Sequence, residues 1–294
     1  MKNFFKHAGI ALGCAALFYA VQIAASTAFM LGETTGFSLQ LIFSGGTAAG
    51  MFQETQLFGD AMMQIYFDFS GLMMLLIDLT LLALGMALLY AERPDGPLAA
   101  ARIVKPRGMA MLWAPAALGI LVFYAVGSGL MLIPEDMPLM QQYIEASSAI
   151  DVGKWPWLSF VVTVIGAPVV EELFFRGLIY RHLKRAMPSR LVWLALILQA
   201  VIFGMAHGQL LWMAYAFVLG LVLGLVYDYF DSLLPCMLLH LCFNASNYIP
   251  FLAEPDATGM LILMLGSLLL SAVVMLGLVL YRRARPEQFA ARTN

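Results

Sequence analysis

Charge is what this chain lacks most. Only 12% of its 294 residues are charged and 62% are hydrophobic, where an ordinary soluble domain carries about 25% charged residues. Such a sequence has too little polar surface to face water on all sides, which excludes a soluble globular protein and points to an integral membrane protein. Cysteine is scarce as well. Cys14, Cys236 and Cys242 are the complement, and none is paired in a CxxC spacing. Neither a disulfide framework nor a cysteine zinc site is suggested. No serine sits in a nucleophile-elbow motif, no HExxH is present, and neither an internal repeat nor a low-complexity tract stands out.

What the chain has is long apolar runs. A membrane span needs roughly 20 such residues. Eight candidates lie near 8–31, 69–91, 110–132, 157–180, 191–207, 210–228, 233–251 and 260–281. The expected fold is therefore all-α, a polytopic bundle of about eight transmembrane helices. Lys2 and Lys6 flank the first run, as in a signal peptide, but that run is too long for a signal h-region and reads as an uncleaved anchor. Residues 35–65, rich in Gly, Gln and Phe, form an external segment expected along the membrane surface. Placing the N-terminus inside puts three basic groups on one face: Arg93, Arg102, Lys105 and Arg107; then Arg181, Lys184, Arg185 and Arg190; then Arg282, Arg283, Arg285 and Arg292. Only Lys154 falls outside. The positive-inside rule then predicts a multi-pass cell-membrane protein with both termini cytoplasmic.

Polar side chains within the spans are costly and mark candidate sites. On the fourth span, "EELFFRG" sets Glu172 four residues before Arg176, the favourable order for an ion pair along one helix face. Helix geometry turns Glu171 about 100° away from Glu172. The fifth span ends in "FGMAH", with Phe203 and His207 four apart. The seventh carries "HLCFN", with His240 and Asn244 four apart. Glu171 and His207 lie at nearly equal distances from the turn at Pro188, 17 residues before it and 19 after. An antiparallel hairpin therefore holds them at similar depth and allows one polar pocket between the fourth, fifth and seventh spans. A shielded carboxylate suits proton shuttling near neutral pH. An imidazole can help orient a water, and a histidine and an asparagine on another helix can donate to an oxyanion. These are the parts for water attack on an amide carbonyl. Bland readings stand beside each: a structural salt bridge, an interfacial histidine, interhelical hydrogen bonds. Cys236, one turn before His240, reads as packing rather than as a thiol nucleophile, and His7 and His182 read as surface residues without a role.

In order, "EELFFRG", "FGMAH" and "HLCFN" resemble the EExxxR, FxxxH and HxxxN motifs of the CAAX-protease and bacteriocin-processing (CPBP) family of intramembrane endopeptidases, across about residues 157–250. The resemblance implies that Glu171 and His207 activate the catalytic water and that His240 and Asn244 form the oxyanion site. Glu172 and Arg176 would brace the fourth helix, with Phe203 in support. It implies a peptide or protein substrate, membrane-anchored or prenylated, and no nucleic acid. Members of the family are often labelled metalloproteases; if zinc is present, Glu171, His207 and His240 are its expected ligands. The reading preferred here needs no cofactor. The expected organisation is N-terminal membrane helices with an external segment over 1–150, a catalytic core over 151–258, and a last helix with a basic tail over 259–294. Two alternatives use the same residues: a non-proteolytic immunity or scaffold protein, and a proton-coupled transporter drawing on Asp78 in the second span. Asp78 also has a plain reading, as a buried acid bonded to a neighbouring hydroxyl.

Overall fold

The computed structural model describes residues 2–43, 50–92, 110–150, 155–249 and 255–284. Every regular element among them is a helix. In chain order these are α1 (Lys2–Phe43), α2 (Gly50–Glu92), α3 (Ala110–Leu130) and α4 (Pro138–Ile150), then α5 (Pro156–Ala186) and α6 (Ser189–Met205), then α7 (Leu210–Phe230), α8 (Leu233–Ser246) and α9 (Ala257–Ala284). Six stretches are long and apolar enough to cross a membrane: Asn3–Gly32, Phe69–Glu92, Leu112–Leu130, Pro156–Ala186, Leu210–Phe230 and Ala257–Ala284. The chain is a multi-pass membrane protein. The other two expected spans form shorter apolar helices, α6 and α8. At 1.5 Å per residue they fall short of a hydrocarbon core about 30 Å thick.

The expected external segment 35–65 is no separate element. Apart from 44–49, which lie outside the described residues, its backbone continues α1 and α2 as helix. Of the orientation markers, Arg93, Arg102, Lys105, Arg107, Lys154, Arg285 and Arg292 also lie outside the described residues. α4 is an addition. Its 13 residues form a short helix between the third and fourth spans, which a search for runs of about 20 apolar residues passes over.

Small residues set the packing, as they do where apolar side chains gain little by leaving lipid. Gly71 and Gly85 of α2 lie against Ser159 and Leu173 of α5, and Asp78, midway between them, lies against Gly166. The two chains advance together, so α2 and α5 run parallel. α6 and α7 form an antiparallel hairpin in which Gly204 meets the carbonyl of Met213 and Gly220 meets Ala200. Its turn uses a positive φ of 72° at Gly208, and Gln209 caps α7 by accepting from the Trp212 N–H at 2.9 Å. α3 packs along both α8 and α9. Gly119 sits so close to α8 that a Cβ there would collide with the Leu239 carbonyl oxygen. α5 occupies the middle: Leu173–Tyr180 is buried at every position, and Phe18 of α1 packs on Phe174 and Phe175 at 5.4 and 5.0 Å.

One end of the bundle is clasped by charge. Glu92 of α2 accepts from Arg181 and pairs with His182 Nε2, both at 2.6 Å, and His182 Nδ1 lies 2.9 Å from His7 Nδ1 of α1. His182 is thus buried, not a surface residue: α1 and α2 close over it, a tertiary contact no local pattern encodes.

The α3–α8 seam yields the first prediction. Gly119→Leu should destabilise the protein by about 1–3 kcal/mol, the usual cost of overpacking. Thermal unfolding in detergent will read this as a lowered midpoint, whereas Gly127→Leu, with nothing within 4 Å of its added Cβ, should leave the midpoint in place.

Candidate active site

The site is assembled on α5, whose helix is not regular. Its turns widen to the π form at Val162–Gly166 and Leu173–Tyr180, leaving an α segment at Ala167–Glu172 between them. π turns of this kind recur at functional sites. Pro168 accounts for part of the irregularity. In the first wide turn the Ala167 N–H bonds to the Val162 oxygen. The next bond in that register would run from residue 168 to Thr163, but proline has no N–H. The Thr163 carbonyl takes a side chain instead: Asn244 Nδ2 of α8 donates to it at 2.8 Å. Asn244 therefore has one amide hydrogen committed to the backbone and one left over.

Glu171 and Glu172 follow that turn and diverge as expected. Glu172 is fully buried, and Glu171 retains 18% side-chain exposure. Glu172 Oε1 accepts from Arg176 Nη1 at 2.8 Å and from His240 Nδ1 at 3.0 Å. A carboxylate held by a guanidinium is an acceptor, so the proton of this bond belongs to His240 Nδ1. The opposite ring nitrogen, Nε2, then faces Glu171 Oε2 at 3.8 Å. That is too long for a direct hydrogen bond and within the range of an ion pair. His240 thus stands between the two glutamates. Glu172 braces α5 and also aims the imidazole, a role its spacing to Arg176 did not reveal.

Arg176 secures Glu172 from several sides. Its Nη2 donates to the Gly220 carbonyl of α7 at 3.2 Å, an oxygen that also accepts from Gln199 Nε2 of α6 at 2.8 Å. Its guanidinium lies over the Phe203 ring, 4.5 Å from the centroid, an attractive cation–π position. Phe203 is the hub: its ring packs edge-on against Phe175, His207 and His240, at 4.9, 5.1 and 5.8 Å.

His207 lies just past the end of α6. Its Nδ1 is 3.0 Å from the Phe203 carbonyl oxygen, which can only accept, so Nδ1 carries the proton and Nε2 is left for another partner. Among the described residues no hydrogen bond or ion pair joins His207 to Glu171. The ring of Tyr215 on α7 lies 6.4 Å from that of His207. Sequence reasoning passed over Tyr215, one more aromatic in an apolar helix.

Asp78 adds a third acid. Its Oδ2 is buried without a hydrogen-bond partner and sits where a side chain on Gly166 would be, 2.7 Å from the Cβ position. The expected hydroxyl partner is not found at Oδ2, because the facing residue is a glycine. Cys236 is buried, its thiol within 3.6 Å of the Leu223 and Ser232 carbonyl oxygens, as packing requires. No group of three or more His, Cys, Asp or Glu residues able to hold a metal ion exists among the described residues.

These features define a polytopic helical membrane protein with a glutamate–histidine site enclosed among its helices. Residues 153–246 match the family described as type II CAAX prenyl endopeptidase, Rce1-like. That stretch, less than half of the chain, is a domain of this endopeptidase family and contains all three motifs. No curated protein and no solved structure matches the chain.

The buried network can be tested directly. Arg176→Ala should cost about 3–5 kcal/mol, because it leaves Glu172 enclosed without its counter-ion. Glu172→Gln combined with Arg176→Met should recover part of that loss. Chemical denaturation of the detergent-solubilised protein reads both.

Proposed function

We propose that this protein is an intramembrane endopeptidase in which Glu171 and His207 activate a water for attack on a peptide carbonyl. The observation that carries the reading is His240 held between two glutamates inside the family domain, 3.0 Å from Glu172 and 3.8 Å from Glu171. A network this costly to bury is retained where it works.

Glu171 is the base. It takes a proton from the water as the water oxygen bonds to the carbonyl carbon, and passes that proton to the leaving amine as the C–N bond breaks. His207, anchored through Nδ1, uses Nε2 to orient the water. The oxyanion is received by Asn244 through its uncommitted amide hydrogen and by His240 when Nε2 carries a proton. Phe203, Arg176 and Glu172 keep the imidazoles aligned, which matters because misplacement by about 1 Å can cost on the order of a hundredfold in rate. No step in this reading requires a metal.

The substrate is a peptide, and the family's name points to prenylated C-terminal ones. A lipid-anchored chain suits a site enclosed by membrane helices. The basic residues clustered at Arg181–Arg185 and at Arg282 and Arg283 support a cytoplasmic placement of that end of α5 and α9, and with it of both termini.

Comparative membrane proteomics of wild type and Glu171→Gln should reveal peptides that cease to be cut. With such a peptide as substrate, Glu171→Gln and His207→Ala should each lower kcat/KM by about 10²–10⁴-fold, the range for general acid–base groups, while the protein still inserts and unfolds at the wild-type midpoint. Full activity in either variant would overturn the mechanism, and unchanged peptides throughout would favour a binding role for the same pocket.

Metal dependence is a separate test. Dialysis against a strong chelator should leave cleavage unchanged. Loss of activity that zinc restores would replace the glutamate mechanism by a metal one.

A further inference from the structure

α1 gives no group to the proposed reaction, yet it touches the helix end that does. Ala11, Cys14, Ala15 and Phe18 are buried at helical spacing, which turns one stripe of α1 into the core. Two contacts hold that stripe against α5. His7 Nδ1 lies 2.9 Å from His182 Nδ1 at one end, and the Phe18 ring packs on Phe174 and Phe175 further along. Tyr19, the next residue, reaches a different helix. Its Oη donates to the Ile202 carbonyl of α6 at 2.6 Å.

That carbonyl belongs to a group that helices leave short of partners, the last four C=O groups before the end. α6 ends at Met205. The Ala206 N–H is shared between the Ile202 and Phe203 oxygens, at 3.3 and 3.2 Å, and the His207 N–H falls back to Gly204 at 3.0 Å. The bond from Tyr19 is thus shorter than the helical bond to the same oxygen, and it comes from outside the helix. Phe203, one residue on, serves the site twice. Its carbonyl oxygen anchors His207 Nδ1 at 3.0 Å, and its ring packs against His207 and His240. Phe18 supports the same hub through a relay of rings, meeting Phe175 at 5.0 Å, which in turn meets Phe203 at 4.9 Å.

We propose that Tyr19 is a positioning residue for the site. By holding the last turn of α6 it sets where His207 Nε2 points. The proposal rests on the reading that His207 orients the attacking water. Consecutive peptide units move together, so a shift at Ile202 carries the Phe203 carbonyl and the imidazole that it anchors. A phenol suits the task, since its rigid ring packs between helices while its O–H finds a partner. Place in the fold separates this bond from a similar one: Tyr229 Oη donates to the Leu278 carbonyl at 2.7 Å. Tyr229 lies 14 residues beyond Tyr215 on α7, about 21 Å along the helix axis.

The test uses the full chain in detergent. Tyr19→Phe removes the donor and keeps the ring. With a cleaved peptide as substrate it should lower kcat on the order of tenfold and leave KM within about twofold. Isotopic labelling of the histidine nitrogens gives an NMR readout that needs no substrate. The chain has 4 histidines, and His207→Ala identifies the His207 signals by their loss. In Tyr19→Phe the His207 Nδ1 signal should shift or split, while those of His7 and His182 keep their places. Tyr229→Phe is the matched control. It loses the same kind of bond elsewhere and should leave kcat and the His207 signal unchanged, whatever it does to the unfolding midpoint. The proposal falls if Tyr19→Phe keeps the wild-type kcat, if the His207 signal stays in place, or if Tyr229→Phe moves both as far. Its failure is distinct from that of the reaction: full activity in His207→Ala removes the hydrolytic role, whereas an unmoved His207 signal in Tyr19→Phe removes the positioning.

Discussion

One buried ion pair organises this molecule. Glu172 and Arg176 lie fully enclosed on the central helix, in surroundings where an isolated charge would cost far more than folding can supply. The pair is tolerable because each charge is answered. Arg176 reaches the Gly220 carbonyl and the Phe203 ring, and Glu172 holds the His240 imidazole. Those partners come from α6, α7 and α8. Satisfying the pair therefore fixes the relative position of every helix that contributes a candidate catalytic group.

Around that pair the backbone departs from regularity in ways that expose function. Pro168 removes a donor from the wide turn of α5, and Asn244 crosses from α8 to occupy the acceptor this leaves. α6 and α8 are too short to cross the bilayer unaided. His207 lies just past the end of α6, where its ring finds the Phe203 carbonyl. Gly119, Gly204 and Gly220 bring neighbouring backbones close together, and the Gly220 carbonyl serves the Arg176 and Gln199 side chains of other helices.

Much of the fold was readable because membrane physics leaves few options. A run of apolar residues without charge must be a helix, and all eight expected runs are helices. The Glu172–Arg176 pair was readable because a spacing of four places two side chains on one face. The bond between His240 and Glu172 was not, since 68 residues separate them and no local pattern links them. His182 was misread for the same reason: a histidine among arginines looks exposed until α1 and α2 close over it. The helical continuation of α1 and α2 through much of 35–65 was hidden by polar and glycine-rich composition.

Composition and hydropathy by themselves determined that this is a polytopic helical membrane protein, and three short motifs determined which helices bear its acids and imidazoles. They could do so because span length and i, i+4 spacing are local properties, set by the rise and turn of a single helix. Tertiary structure alone decided that Glu172 would aim His240 at Glu171, that Asn244 would spend one hydrogen on Thr163, and that Asp78 would face a glycine near the site. Those outcomes depend on how helices rotate and slide against one another, and that is set by the small residues and buried charges of several helices at once.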